Sequence, residues 1–189
     1  MNWVVVDSPV GRLLVIATQK GVVRLEFLTD DIDVQRELHR TAGMLRMAGE
    51  MVPPADEWLE GVGLAQQAAT ELGEYFLADR KEFDVPVYRA LSKGFRRQAL
   101  EHISTIPYGM TESYAEVAEA INNPKAVRAV GGACASNPVP IIVPCHRVLR
   151  ADRSLGGYMG GQGNANLSYK IHLLDLEGAE HARAATVLL

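Results

Sequence analysis

The run Ile141-Ile142-Val143-Pro144-Cys145-His146-Arg147-Val148-Leu149 sets a thiol, an imidazole and a guanidinium side by side behind an apolar lead-in. Such a trio can do nucleophilic chemistry, in which the sulfur attacks and a base takes its proton. A free thiol has a pKa of ~8.5 and is only a few per cent ionised at neutral pH, so it needs a base and a positive neighbour. The spacing predicts a strand ending on the thiol. In an extended segment His146 points to the opposite side and reaches the sulfur through a water. The competing reading is a buried Cys145 acting as a small hydrophobe, with His146 and Arg147 on the surface. Metal ligation is not expected. Cys134 and Cys145 lack a CxxC spacing, and His39, His102, His146, His172 and His181 contain no pair at i,i+3 or i,i+4.

A second unusual stretch lies just upstream, where Lys125 to Ala135 reads as a helix. At ~100° per residue, Arg128, Gly131, Gly132 and Ala135 fall on one side, and Ala126, Val130, Ala133 and Cys134 on the other. The second set is the face to bury. The first is one arginine on a strip of the smallest side chains, where two glycines cost roughly 1–2 kcal/mol of helix propensity. Tight helix packing explains such a strip, and so does a partner that must come close to the backbone. A minor groove ~6 Å wide admits only a slender helix, from which one long side chain can enter the base stack. Downstream, Gly156-Gly157-Tyr158-Met159-Gly160-Gly161 could cradle a planar ligand or be a linker. It lacks the pattern of a nucleotide-cofactor loop.

The elements that must carry these residues divide into two halves. The chain has 189 residues and net charge −4, with an ordinary apolar content of 48%, which excludes disorder, collagen and coiled coil. Residues 1–88 carry 8 basic and 15 acidic side chains, whereas residues 89–178 carry 10 and 7. The composition break near residue 89 predicts a boundary, and the basic half is where an anionic partner is sought. The first half reads as α/β. Its strands are Val4–Asp7, Arg12–Thr18 and Val22–Leu28, its helices Asp33–Met47 and Trp58–Leu77, and an extended segment with an edge proline runs over Phe83–Tyr88. The second half reads as mainly helical: Gly94–Ile106, Thr111–Ile121 capped by Thr111, and Lys125–Ala135. The last two, joined by Asn122-Asn123-Pro124, have helix-turn-helix form. The short start, Met1-Asn2-Trp3-Val4-Val5-Val6-Asp7, is no signal peptide and no apolar run spans a membrane. A cytoplasmic protein with free thiols is expected, or a nuclear one if the host is eukaryotic.

Most of residues 95–178 resembles the O6-alkylguanine-DNA alkyltransferases, the methylated-DNA–protein-cysteine methyltransferases. The resemblance runs through Ile106-Pro107-Tyr108-Gly109, Thr111-Glu112-Ser113-Tyr114, Arg128-Ala129-Val130-Gly131, Asn137-Pro138, Pro144-Cys145-His146-Arg147-Val148, Gly157-Tyr158 and Leu173-Leu174-Asp175-Leu176-Glu177-Gly178. More loosely, Asp7-Ser8-Pro9-Val10-Gly11 and Gly21-Val22-Val23-Arg24-Leu25-Glu26-Phe27 look like that family's ribonuclease-H-like domain. The resemblance implies an α/β N-terminal ribonuclease-H-like domain over 1–88, a mainly α domain with a helix-turn-helix over 89–178, and a tail over 179–189.

It also implies roles. Cys145 takes the alkyl group in one irreversible step, His146 accepts the thiol proton through a water, and Glu177 orients His146. Asn137 sits in the turn linking the second helix to the active site. Tyr114 helps rotate the nucleotide and donates a hydrogen bond to the base, and Arg128 fills the vacated stack. Gly131, Gly132 and Ala135 form the face laid in the minor groove. Tyr158 and Met159 line the pocket, backbone carbonyls near Val148 read the guanine amino group, and Lys170 matches a lysine near the pocket.

The implied partner is double-stranded DNA carrying O6-alkylguanine, met by a monomer without cofactor or metal. Some relatives hold zinc in the N-terminal domain, but residues 1–88 contain no cysteine and one histidine. Departures from the family are Leu100 for a usual tryptophan, Arg153 for a common glycine, and a longer link at residues 162–169. Two other functions stay open: a lesion-binding protein that transfers nothing, and a cysteine hydrolase or acyltransferase using Cys145 and His146.

Overall fold

The computed structural model describes residues 1–29, 33–160 and 164–181. The chain divides into two compact units, Met1–Lys93 and Gly94–Leu189. Gly161, Gln162 and Gly163, at the Gly-rich loop and the longer link, lie outside the described residues. So does the expected tail from residue 182 on.

The first unit is built on a four-stranded sheet. Strands β1 (Asn2–Val6), β2 (Arg12–Thr18) and β3 (Gly21–Leu28) form an antiparallel meander, and β4 (Leu59–Glu60) pairs parallel to β1. The order is β3-β2-β1-β4. Residues 13–17 are apolar and wholly buried, so β2 is a central strand. The Ser8–Gly11 turn closes with reciprocal backbone hydrogen bonds of 3.1 and 3.0 Å. Helix α1 (Val34–Met47) starts where Asp33 accepts the Gln35 N–H at 2.9 Å. Its Leu38, Ala42 and Leu45 pack with Leu14, Ile16, Val23 and Trp58. Phe83–Tyr88 is extended as expected, and Val22 pairs across to Pro86 and Tyr88. Gly21 is required there, because a Cβ would collide with the Pro86 carbonyl.

One helix is shorter than its pattern. Helix α2 spans Gly63–Phe76 and does not begin at Trp58. Gly61 and Gly63 hold left-handed backbone, which breaks the turn, and Leu59 is spent on the edge strand with 62% of its surface exposed. The apolar spacing from Leu59 to Val62 is coincidental.

The second unit carries α3 (Gly94–Ile103), α4 (Tyr114–Ala120), α5 (Val127–Ala135) and α6 (Asn164–Glu177), with a two-residue parallel pair β5 (Glu112–Ser113) and β6 (Val148–Leu149). Leu100, the residue in place of the family's tryptophan, is buried in the core. Three expectations change here. First, α3 ends at Ile103, with Ser104 and Thr105 capping its last carbonyls through their side chains. Second, the cap of α4 is Ser113, not Thr111. Ser113 accepts the Glu116 N–H at 3.1 Å while Glu116 accepts the Ser113 N–H, a reciprocal box. Thr111 has Tyr114 three residues on, which cannot close that box. Third, no strand runs into Cys145. Cys145–Arg147 form a single 3-10 turn and β6 comes after it. Pro140 and Pro144 bound the apolar run and lack the N–H groups a ladder needs, and Ile141 turns through φ +73°.

Candidate active site

The site grows from three pieces of the second unit. The 3-10 turn offers Cys145, the C-terminal end of α5 offers Asn137, and one face of α6 offers Lys170 and Glu177. Lys170, Leu173, Leu174 and Glu177, at i, i+3, i+4 and i+7, are all buried. A charge at each end of a buried helical stripe must find partners.

Glu177 finds two. Its Oε1 accepts from His146 Nε2 and Arg147 Nη2, both at 2.8 Å, and its Oε2 accepts from Arg147 Nε at 2.8 Å. The Gly109 N–H adds a fourth bond at 3.2 Å, and Arg147 Nη1 donates to the Ile106 carbonyl. Burial by itself raises a carboxyl's pKa, but the hydrogen bonds and charges of His146 and Arg147 outweigh it and hold Glu177 far below the usual carboxylate range. Glu177 is therefore ionised and accepts a hydrogen bond from the Nε2–H of His146. Burial pushes the imidazole's pKa down, so the ring is neutral and Nδ1 carries the lone pair. Nδ1 is buried and has no hydrogen-bond partner among the described residues, which leaves a basic nitrogen beside the thiol's own turn. His146 and Arg147 are 0% and 6% exposed, which removes the surface reading of that pair.

Cys145 is 2% exposed yet lines a cavity of about 210 Å³. Burial raises its thiol pKa, and two neighbours oppose that: a hydrogen bond from Asn137 and the charge of Lys170. Asn137 Nδ2 donates to the sulfur at 3.1 Å and to the Val143 carbonyl at 2.8 Å, while its Oδ1 accepts the Val139 N–H at 3.0 Å. The amide is thus locked, with one N–H aimed at the sulfur. Lys170 is fully buried with no carboxylate partner among the described residues. Its Nζ donates to the Val148 and Leu155 carbonyls, each at 2.6 Å. Burial lowers its pKa to about 8. The Val148 carbonyl keeps a second lone pair for another donor.

The cavity walls are Tyr114, Gly131, Cys134, Ala135, Cys145, Gly157, Tyr158, Met159 and Gly160. Of the twelve residues singled out in the sequence, Tyr114, Gly131, Ala135, Cys145, Tyr158 and Met159 meet at this cavity. His146, Glu177 and Asn137 stand behind the sulfur, with the Val148 carbonyl on Lys170. Tyr114 stays a protonated phenol, because burial raises it well above its ordinary value, so it can donate. Its hydroxyl lies against Gly156, where a Cβ would come within 3.0 Å. Arg128 and Gly132 are exposed along the rim helix rather than in the wall. A Cβ at Gly131 or Gly132 would meet nothing within 4 Å, so these glycines face open space and tight helix packing does not explain them.

Sequence reasoning missed three features. Asn137 contacts the sulfur itself. Arg147 shares Glu177 with His146. Cys134 turns its thiol into the cavity wall. The 170–173–174–177 spacing is a usable signal for the buried face of α6 that brings Glu177 to Arg147, whereas the Asn137 contact has none, since it depends on how the Asn137-Pro138 turn folds back. Among the described residues no cluster of three or more His, Cys, Asp or Glu could hold a metal, and no helix is long and apolar enough to cross a membrane.

A thiol at the wall of a cavity, with a buried base and an ion-paired carboxylate behind it, defines an acceptor of small electrophilic groups. Residues 94–179 match the DNA binding domain of 6-O-methylguanine DNA methyltransferase, and residues 1–88 match its ribonuclease-like domain. The methylated-DNA–protein-cysteine methyltransferase of Mycolicibacterium paratuberculosis is 39% identical, covering 97% of this chain and 95% of that protein. The protein of the same name from Methanosarcina acetivorans is 34% identical over 95% and 99%. The crystal structure of Mycobacterium tuberculosis OGT in complex with DNA is 31% identical with a TM-score of 0.72, covering 94% and 93% of the two chains. The chain belongs to the 6-O-methylguanine DNA methyltransferase family.

Proposed function

We propose that this chain is a DNA repair protein that takes the alkyl group of O6-alkylguanine onto its own Cys145, once per molecule. The observation that carries the assignment is the cavity with Cys145 in its wall, backed by Asn137 on the sulfur and His146 held by Glu177. The sulfur attacks the alkyl carbon, a C–S bond forms, and the C–O6 bond breaks. The thiol proton passes through a water to Nδ1 of His146, whose cation is stabilised by Glu177. Tyr114 donates a hydrogen bond to the base, which departs from the alkyl carbon as the guanine anion, still joined to its strand, and becomes guanine when the proton held by His146 returns to it through water. The product is a thioether, a poor leaving group, and among the described residues nothing near the sulfur can remove the alkyl group, so turnover stops at one.

The second unit supplies the DNA contact. Helices α4 and α5 act as a helix-turn-helix, with the slender face of α5 in the minor groove. The open space at Gly131 and Gly132 supports this. Exposed Arg128 fills the stack vacated by the flipped nucleotide. The first unit is ribonuclease-H-like, and the protein acts as a cytoplasmic monomer. Incubation with a duplex carrying O6-methylguanine, followed by mass spectrometry of the digested protein, should place one added methyl group on Cys145. An unmodified Cys145 beside demethylated DNA sinks the assignment. Arg128→Ala is expected to weaken duplex binding and repair while leaving transfer from free O6-benzylguanine intact, measured by single-turnover rates on both substrates.

A further inference from the structure

The loop between β6 and the cavity wall carries a residue at odds with its backbone. Arg153 holds φ +62°, a conformation that L side chains rarely adopt and that glycine would take without strain. The turn itself is well made: Arg150 N–H donates to the Ser154 carbonyl and Arg153 N–H to the Arg150 carbonyl, both at 2.9 Å. A glycine would serve it better. The Arg153 guanidinium donates through Nη1 to Thr111, at 3.0 Å to Oγ1 and 3.3 Å to the carbonyl. That places a cation where its charge helps to hold down the pKa of Glu116, in the first turn of α4. Its charge is felt by Glu116, but no carboxylate pairs with it among the described residues. Strain kept at one position points to a use for the side chain.

We propose that Arg153 is a contact to a DNA phosphate, so that the duplex footprint extends from the helix pair onto the pocket-rim loop. The proposal rests on the DNA-repair reading above. Thr111 occupies only Nη1. Nε and Nη2 of this exposed residue remain for the fork that suits a phosphate. Pre-orientation by Thr111 removes much of the cost of ordering a long side chain. The location fits as well. The same loop carries Gly156, against which the Tyr114 hydroxyl lies, and leads into Tyr158 and Met159 of the cavity wall. A nucleotide swung into that cavity brings its own phosphate past the loop that leads into the wall, and Arg153 lies on that loop three residues before Gly156.

Arg153→Gly is the suitable variant, because glycine accepts the left-handed backbone and the fold should survive. Binding to an undamaged duplex is followed by fluorescence anisotropy across a salt series, and single-turnover transfer from free O6-benzylguanine reports the pocket. The slope of log K against log salt is expected to become shallower by about 0.9, the loss of one phosphate contact. Duplex binding should weaken severalfold, transfer from the phosphate-free base should persist, and the thermal midpoint should hold or rise. An unchanged slope overturns the proposal. So does a slowed free-base reaction at unchanged slope, since Arg153 would then be a clamp shaping the pocket. If the wild-type protein itself shows no salt-dependent duplex binding, the DNA-repair reading fails and this proposal goes with it.

Discussion

Cys145→Ala should abolish alkyl transfer while leaving the protein folded and able to bind duplex DNA. The sulfur supplies the only bond formed in the reaction, so no residual rate is expected from the rest of the site. The fold loses little. The side chain is small, Asn137 keeps its bonds to Val143 and Val139, and the His146–Glu177–Arg147 set is untouched. Cys134 gives the experiment its edge. It lines the same cavity, so it is the alternative acceptor. Burial pushes its thiol far up and no Asn137 bond offsets this, so it should stay protonated and inert. Methyl transfer from O6-methylguanine DNA, read by peptide mass spectrometry, and duplex affinity by anisotropy check both halves. Repair at the wild-type rate, or methyl found on Cys134, would remove Cys145 from its role.

Glu177→Ala should cost stability as well as activity, by about 3–5 kcal/mol, because it leaves two buried groups without their anion. Arg147 would lose two of its three side-chain hydrogen bonds and keep the one to the Ile106 carbonyl. His146 would lose the acceptor that fixes its tautomer. Urea unfolding at neutral pH measures the loss, and a variant within about 1 kcal/mol of wild type would contradict it. Glu177→Gln should fall between the two, since its amide can still accept from one donor.

The same site makes wild-type stability acid-sensitive. Glu177 has a depressed pKa, so its contribution is complete above the ordinary carboxylate value of ~4.3 and fades as pH falls below it. His146 is held neutral, its pKa lowered by burial, so the unfolded chain binds its proton first and stability begins to fall below ~6.5. Both effects have one sign: stability drops as the solution is acidified. In Glu177→Ala the lower of the two windows should flatten.

Much of this molecule was readable before any coordinates. Strand β2 is a wholly apolar run and α1 has its Asp33 cap, so local pattern and tertiary need agree. The two faces of α5 also follow from periodicity, because a helix fixes the direction of every side chain at 100° steps. The failures share a cause. Trp58 to Val62 has helical spacing, but Gly61 and Gly63 turn the backbone left-handed and the segment pairs with β1 instead. Thr111 looks like a cap as well as Ser113 does, and only Glu116 three residues beyond Ser113 decides between them. The run before Cys145 is apolar and β-branched, yet two prolines prevent it from joining a ladder.

Sequence alone determined which groups could react: a thiol, an imidazole and a guanidinium in one tripeptide, and a helix face too small to be ordinary surface. Those are properties of residue type and short-range spacing, which the chain carries wherever it goes. Only the tertiary structure decided how they act. Glu177 lies 31 residues from His146, Lys170 lies 22 from Val148, and Asn137 reaches the sulfur across eight. Burial sets the charge state of each, because removal from water penalises every ion that lacks a partner. Partners at such separations are brought together by packing, and no local pattern encodes them.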